Sequence, residues 1–334
     1  MATGERVKMA DVARAAGVSV ATVSKVVNGR YGIAPATVDR VSAAVAELGY
    51  EASLGARSLR SSRTGVLGVL VAEFEPFSTE LLKGVSAAMG GTGYELLAWS
   101  GGHREDAVGW ERRSLARLGG TLIDGAILVT PTVVDAGAGI PVVAVDPHTG
   151  PADAPSVDSD NLAGAVLATE HLLGLGHRRI ALLSGRQDLE SARLREQGFR
   201  QAMAAAGVPV DESLVGNGDY RAETAEGPAR ALLTREDRPT AVFGGNDLMA
   251  LRTMEVAAGL GLRVPEDLSV VGFDDVPEAV GGTPPLTTIH QPLHEMGAAA
   301  LDLLVRMLEE PGTRPPDVRM PVSLVERAST APPS

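Results

Sequence analysis

The sequence predicts a small helical head followed by a larger α/β body of two subdomains with parallel sheets. Three observations carry that prediction. Residues 1–63 hold three short helical patterns and no strand-like run. Beyond Thr64, apolar runs alternate with amphipathic stretches, the pattern of right-handed βαβ units whose strands are covered on both faces. About ten such units follow one another, more than one sheet holds comfortably, so the body divides in two.

The first helix is "MADVARAA" (9–16), which places Val12, Ala13 and Ala16 at helical spacing and stops at Gly17. "VATVSKVVN" (20–28) follows after a tight turn, with Ser19 as its N-cap. "PATVDRVSAAVAELG" (35–49) opens on Pro35 and closes on Gly49, and its Val38, Val41, Val45 and Leu48 recur at i+3 and i+4. Two helices joined by a tight turn and braced by a third make a helix-turn-helix. On the second helix Val23, Val26 and Val27 are expected to pack inward. Ala21, Lys25 and Asn28 share a different face, small, polar or basic.

Charge divides along the same line. Residues 1–63 carry nine Lys/Arg against five Asp/Glu, a net +4, while the whole chain of 334 residues is −12. A basic head on an acidic body directs only the head toward a polyanion. The outer face of the second helix suits a major groove. Val20 and Ala21 would meet thymine methyls and Lys25 guanine O6/N7, while Ser19, Thr22, Ser24 and Asn28 would bond phosphates.

"EASLGARSLRSSRTG" (51–65) is polar, basic and interrupted by Gly55, a linker of weak helical tendency. The strand-like runs then come in order: "GVLGVLVA" (65–72), "YELLAW" (94–99), "GAILVT" (125–130), "PVVAV" (141–145), "RIALLSG" (179–185), "TAVFGG" (240–245) and "LSVVGF" (268–273). Helical stretches such as 78–90 and 162–176 lie between them.

Composition narrows the chemistry. The chain has no cysteine, hence no disulfide and no thiolate, which fits a reducing compartment. The N-terminus lacks the apolar run of a secretory signal, and no segment approaches the ~20 apolar residues of a membrane span. A cytoplasmic protein with no membrane partner is expected. There is no "GK[ST]" phosphate loop, "GxSxG" elbow or "HExxH" pair. His290 and His294 flank Pro292 and are expected at the surface rather than on a metal. With 42 Asp/Glu, chance carboxylate pairs are common, so a glycosidase pair stays open on composition alone. No catalytic residue, cofactor or metal ligand is expected.

Polar residues gather where the parallel strands should end, the usual ligand crevice of open α/β sheets. Asp146, Asn246, Asp247, Asp274 and Asp275 are such residues, with Asp247 and Asp275 equally suited to capping the next helices. Asp and Asn exchange hydrogen bonds with sugar hydroxyls, Arg195 can bridge two vicinal hydroxyls, and Tyr220 can stack on a pyranose face. A body that only dimerises is the plainer alternative.

"MADVARAAGVSVATVSKVVNG" resembles the DNA-binding headpiece of the lactose-repressor (LacI/GalR) family of bacterial transcription regulators. "VDRVSAAVAELGY" resembles that family's third helix and "ARSLRSSRTGVLGVLV" its hinge and first core strand. The likeness continues through "LGHRRIALLSG", "SARLREQGF", "GGNDLMAL", "VPEDLSVVGFDD" and "PLTTIHQP", from about Lys8 to Gln291. It implies a headpiece over 6–50, a hinge over 51–63, and a periplasmic-binding-protein-like core. The core's N-subdomain would span 64–162 and 290–322, its C-subdomain 163–289, with a tail over 323–334.

By the same resemblance the chain is a homodimer on a near-palindromic operator, one recognition helix per half-site. Hinge residues Ala56, Arg57, Leu59 and Arg60 would reach DNA, Leu59 as a wedge in the central minor groove. Asp146, Arg195, Tyr220, Asn246 and Asp274 fall where sugar-responsive members hold a small-molecule effector. Phe74, Phe77 and Gln291 complete that set, Gln291 as a crossover residue near the subdomain hinge. Ligand is expected either to release DNA or, acting as corepressor, to strengthen binding. A plain sugar-binding protein is the alternative of another class. The end "VERASTAPPS" has no heptad leucines, which predicts dimers rather than tetramers.

Five positions depart from the family pattern. Lys8 and Ala34 stand where Ser or Thr would cap helices, Ala52-Ser53 replaces Pro-Asn at the hinge start, and Glu75 interrupts an Asn-Pro-Phe-Phe pattern.

Overall fold

The computed structural model describes residues 7–27, 32–50, 63–101, 109–132, 139–148 and 154–334. It divides into two compact units, Met1–Thr64 and Gly65–Ser334.

The first unit is built from α1 (Met9–Ala16), α2 (Val20–Val27) and α3 (Pro35–Leu48). Val12, Ala13, Ala16, Val23, Val41 and Ala44 are buried together, with Val26, Val27, Val45 and Leu48 packed around them. Gly17 closes α1 in the left-handed conformation at φ 66°, its N–H directed to the carbonyls of Ala13 and Arg14. A residue with a Cβ is disfavoured there, which makes the turn into α2 short. Lys8 and Ala34 provide no side-chain cap. At the first of these Asp11 compensates, accepting the Lys8 N–H at 2.9 Å.

The second unit opens with β1 (Val66–Val71), α4 (Pro76–Ala88), β2 (Glu95–Ser100), α5 (Trp110–Leu118), β3 (Gly125–Val129), β4 (Val142–Val145) and β5 (Ser156–Ser159). It continues through α6 (Asn161–Gly174), β6 (Ile180–Ser184), α7 (Glu190–Ala205), β7 (Val215–Asn217), α8 (Ala222–Leu233), β8 (Ala241–Gly244), α9 (Asp247–Gly259), β9 (Ser269–Asp274), α10 (Pro277–Gly281) and β10 (Thr287–His290). It ends with α11 (Leu293–Glu309), β11 (Val318–Met320) and β12 (Ser323–Val325).

Two six-stranded sheets result, ordered β11-β5-β4-β3-β1-β2 and β12-β10-β9-β8-β6-β7. Every pairing of the first sheet is parallel. In the second, only β12 runs antiparallel, against β10. The apolar runs of the sequence are strands because both faces are covered: β1, β3, β4, β6, β8 and β9 are buried throughout. The chain passes between the sheets after β5, after β10 and after β11, so each subdomain is discontinuous in sequence.

The end of the chain corrects one expectation. Residues 323–334 are not a tail outside the core. Thr287 N–H and Thr287 Oγ1 lie on an edge that needs partners, and they find Ser329 Oγ at 2.8 Å and Arg327 N–H at 2.9 Å. Ser329 is fully buried and donates to the Val270 carbonyl at 2.6 Å. Polar Ser and Thr therefore do there what an apolar run does elsewhere. Among the described residues no helix is long and apolar enough to cross a membrane.

Candidate functional site

In the helical unit, α2 divides as its pattern requires. Val23 is buried, while Val20, Ala21 and Lys25 are exposed. Val20 is 45% exposed, and an apolar side chain left open at a helix start suits contact with thymine methyls. Ser19 Oγ accepts the Thr22 N–H at 3.1 Å and pairs with Thr22 Oγ1 at 2.9 Å. These two hydroxyls are thus oriented by each other at the helix N-terminus, where an anion is favoured. Ser24 is half-buried. Asn28, Ala56, Arg57, Leu59 and Arg60 lie outside the described residues.

In the second unit, a cavity of about 490 Å³ lies where the strands of both sheets end. Its walls include Val71, Val129, Thr130 and Asp146 from the first sheet, and Arg195, Tyr220, Asn246 and Asp274 from the second. Backbone strain gathers around it: Thr130, Asp146, Asp219, Tyr220 and Asp274 all line the cavity at positive φ, from 46° to 116°. Such conformations cost ~1–3 kcal/mol each and persist where the surroundings enforce them.

Arg195 organises the second-sheet wall. It is 4% exposed and projects from α7. Its Nε donates to Asn161 Oδ1 at 2.8 Å, and Nη1 donates to the Gly245 carbonyl and to Asp274 Oδ1 at 3.3 Å. Nη2 has no acceptor among the described residues. The guanidinium lies 3.7 Å from the Phe273 ring centre and 5.3 Å from that of Tyr220. An arginine so held is rigid and fully charged.

Asp274 is 6% exposed and its Oδ1 also accepts from Gln291 Nε2 at 2.7 Å. Burial raises its carboxyl well above the usual range, while Arg195 and Gln291 oppose that rise. Asp146 is raised by the same burial, against Arg195, and accepts from Asn161 Nδ2 at 3.4 Å. Burial lifts the Tyr220 phenol to about 12, so it stays protonated. Acceptors and donors thus alternate around one buried space, which is what a polyhydroxylated molecule needs.

Tyr220 reaches this position through Gly185. A Cβ on Gly185 would sit 2.4 Å from the tyrosine ring, so only glycine at the end of β6 admits it. The ring is committed to Gly185 and Arg195, which makes it a support for the arginine as well as a wall.

The expected residues divide. Phe77, Asp146, Arg195, Tyr220, Asn246 and Asp274 line the cavity together. Phe74 does not; it is 52% exposed, on the four-residue connection between β1 and α4. Gln291 does not line it either; it is buried behind Asp274, donating to it and accepting from the Ser159 hydroxyl. Asn246 is the N-cap of α9, its Oδ1 accepting the Met249 N–H at 3.0 Å while Nδ2 donates to the Tyr220 carbonyl at 3.0 Å. The capping proposed for its neighbour Asp247 is absent: Asp247 is fully buried and ties the Val276 N–H to the Thr288 hydroxyl. Asp275 pairs with Arg327 and His290.

Sequence reasoning missed Glu73, Trp110, Thr132, His148, Ser191 and Arg221, all of which line the cavity. Ser191 stands four residues before Arg195 on α7, a spacing that signals a shared face. His148 follows Asp146 by two residues in the same strand-end loop. Trp110, Glu73 and Thr132 carried no readable signal.

Residues 8–53 match the family described as bacterial regulatory proteins, lacI family. Residues 169–330 match a periplasmic binding protein-like domain. The ribose operon repressor of Escherichia coli (strain K12) is 36% identical over 329 residues, 96% of this chain and 99% of that protein. Among solved structures, a complex of the transcriptional regulator CelR with cellobiose has a TM-score of 0.73 and 34% identity, over 97% of this chain and 100% of that one. The lac repressor dimer bound to operator and the anti-inducer ONPF has a TM-score of 0.81 and 28% identity, over 98% and 100%.

Proposed function

The chain belongs to the lacI family of bacterial regulatory proteins and is a DNA-binding transcriptional regulator, and from that premise we infer that it is a sugar-responsive repressor acting in the cytoplasm as a homodimer. The observation that carries the sugar reading is the buried Arg195–Asp274 pair inside a cavity walled by both sheets. Relatives bound to cellobiose and to ONPF support a small molecule at this place. The likeness to a dimer on operator DNA supports two headpieces reading a near-palindromic site.

In this reading α2 enters the major groove, with Val20, Ala21 and Lys25 against bases and Ser19, Thr22 and Ser24 against phosphates. The effector lies against Asp146, Arg195, Tyr220, Asn246 and Asp274, with Phe77 beside it and Gln291 bracing Asp274 from behind. Residues 64–162 with 290–322 and residues 163–289 with 323–334 act as two jaws. Ligand held by both changes their closure and hence operator affinity, a coupling of ~1–3 kcal/mol. None of the lining residues is assigned a catalytic role.

The test is fluorescence anisotropy of a labelled palindromic site from beside the protein's own gene, titrated with protein and then with ribose, cellobiose and a wider sugar panel. Release by one sugar, abolished in Arg195→Ala, is the expected result. Tighter binding would make the ligand a corepressor. Salt-sensitive DNA binding that ignores every sugar would overturn the effector reading and leave the regulator standing.

A further inference from the structure

On the second-sheet wall of the cavity Arg195, Asp274 and Gln291 are held by hydrogen bonds, while the Tyr220 hydroxyl is buried without a hydrogen-bond partner among the described residues. The wall opposite contains a second such side chain. His148 is 9% exposed, and its Nδ1 is buried with no hydrogen-bond partner among the described residues. A buried nitrogen left in this state costs ~1–3 kcal/mol. Its ring lines the cavity.

The backbone of the same residue is fully engaged. Its N–H donates to the Pro131 carbonyl at 3.0 Å, just beyond β3 in the first subdomain. Its carbonyl accepts the Glu190 N–H at 3.0 Å, at the start of α7 in the second. His148 is therefore clipped between the subdomains, satisfying one of the first-turn N–H groups of the helix that carries Arg195. A ligand atom that bonds to Nδ1 gains that contact where the clip is made.

Building on the sugar-effector reading, we propose that His148 is a specificity-determining contact of the effector site, its Nδ1 taking one hydroxyl of a neutral polyhydroxylated ligand. Burial and the Arg186 charge push the imidazole down to about 4, so the ring is neutral. A neutral ring presents either an N–H or a lone pair at Nδ1, and a hydroxyl, both donor and acceptor, satisfies either tautomer. An anionic ligand is disfavoured because six carboxylates line the cavity, Glu73 and Glu75 from the first subdomain and Asp219 and Glu223 from the second among them, against three arginines. No group of three or more His, Cys, Asp or Glu suited to a metal ion occurs among the described residues, which leaves a hydroxyl the better partner than a cation.

The test is calorimetric titration of the full chain with cellobiose, ribose and a panel of hexoses, pentoses and disaccharides. The wild type is compared with His148→Ala and with His148→Asn, whose amide can take the place of Nδ1. The proposal expects the alanine variant to bind the sugar that the wild type takes up about tenfold more weakly. The asparagine variant should recover most of that loss. Unchanged affinity in His148→Ala, or equal losses in both variants at equal thermal stability, would overturn the assignment and leave the sugar reading intact. A wild type that takes up no member of the panel would overturn both. Should His148→Ala not fold, the ring nitrogens of His148 in 15N-histidine wild type provide the second readout. Resonances that move with the sugar support the contact, and resonances that stay fixed as the sugar saturates overturn it.

Discussion

Arg221 reaches across the cleft to Glu73: its Nη2 lies 2.7 Å from Glu73 Oε2, and its Nη1 lies 3.8 Å from Glu75 Oε1. Arg221 sits between β7 and α8 on the second subdomain, the two glutamates between β1 and α4 on the first. All three line the cavity, so the pair fastens the site at the point where the subdomains meet. Burial raises the Glu75 carboxyl despite Arg221, because Glu73 and Glu223 add to the negative field.

The fastening is weak by design of its surroundings. Arg221 and Glu73 are each about one-third exposed, so solvent screens the pair to ~1 kcal/mol or less. Glu73→Gln and Arg221→Ala should each weaken sugar binding by about two- to fivefold, and the double variant should lose no more than either. Wild-type affinity should fall as salt rises and that of the variants should not. Additive losses in calorimetric titration would show that the two side chains act separately.

At the other end of the chain, Ser19 and Lys25 should separate stability from specificity. Ser19→Ala removes the acceptor of the Thr22 N–H and should cost the headpiece ~0.5–2 kcal/mol, lowering affinity for every DNA sequence alike. Lys25→Ala removes an exposed cation from the outer face of α2 and should change base preference by ~1–3 kcal/mol at one position of each half-site. Binding measured over a library of operator variants distinguishes the two. Parallel losses across the library for Lys25→Ala would place its ammonium on phosphate instead.

What the sequence disclosed follows from the kind of force at each position. Seven apolar runs announced seven strands, and in six of them burial on two faces demands a continuous apolar run; β2, at the sheet edge, is the exception. β5 and β10, written "SVDS" and "TTIH", escaped notice because polar side chains take part in their hydrogen bonding, and β12, "SLV", because three residues are too short a run to read. Thr288 is fully buried, yet its hydroxyl is satisfied by Asp247. Asp146, Arg195 and Asp274 were legible because strand ends and helix faces position them. His148 was not, since the strand-end loop that brings it to the cavity has no periodicity, nor was Trp110, the first residue of α5. Nor does any local pattern announce that Glu73 meets a partner 148 residues away.

Gly185 tests the support of Arg195 from behind. Gly185→Ala places a methyl where the Tyr220 ring now lies, 2.4 Å from its carbons, and the ring must move. That overpacking should cost ~1–3 kcal/mol of stability and loosen the guanidinium stacked nearby. Sugar affinity should therefore fall more than thermal stability alone accounts for, with Tyr220→Leu in the Gly185→Ala background regaining stability but not affinity. Recovery of both would mean that the ring serves packing and nothing else.

His148 gives the protein an acid-sensitive term whose sign is fixed. Burial lowers its folded-state value to about 4 from an ordinary 6.5. A group depressed on folding contributes stability above its unfolded value and loses it as pH falls through the folded one. Between pH 6.5 and about 4 the wild type should lose on the order of 3 kcal/mol from this residue as the unfolded chain takes up a proton that the folded chain refuses. Asp158 acts in the opposite direction: burial, reinforced by Asp146, raises it to about 6, so its contribution is present below 3.8 and fades as pH rises toward 6. The two terms partly cancel in the wild type. His148→Asn should flatten the acid limb of a thermal-stability profile, and Asp158→Asn should steepen it while raising stability above pH 6. An acid limb unchanged in His148→Asn would mean that the imidazole is protonated inside the folded protein, as a ring in contact with solvent would be.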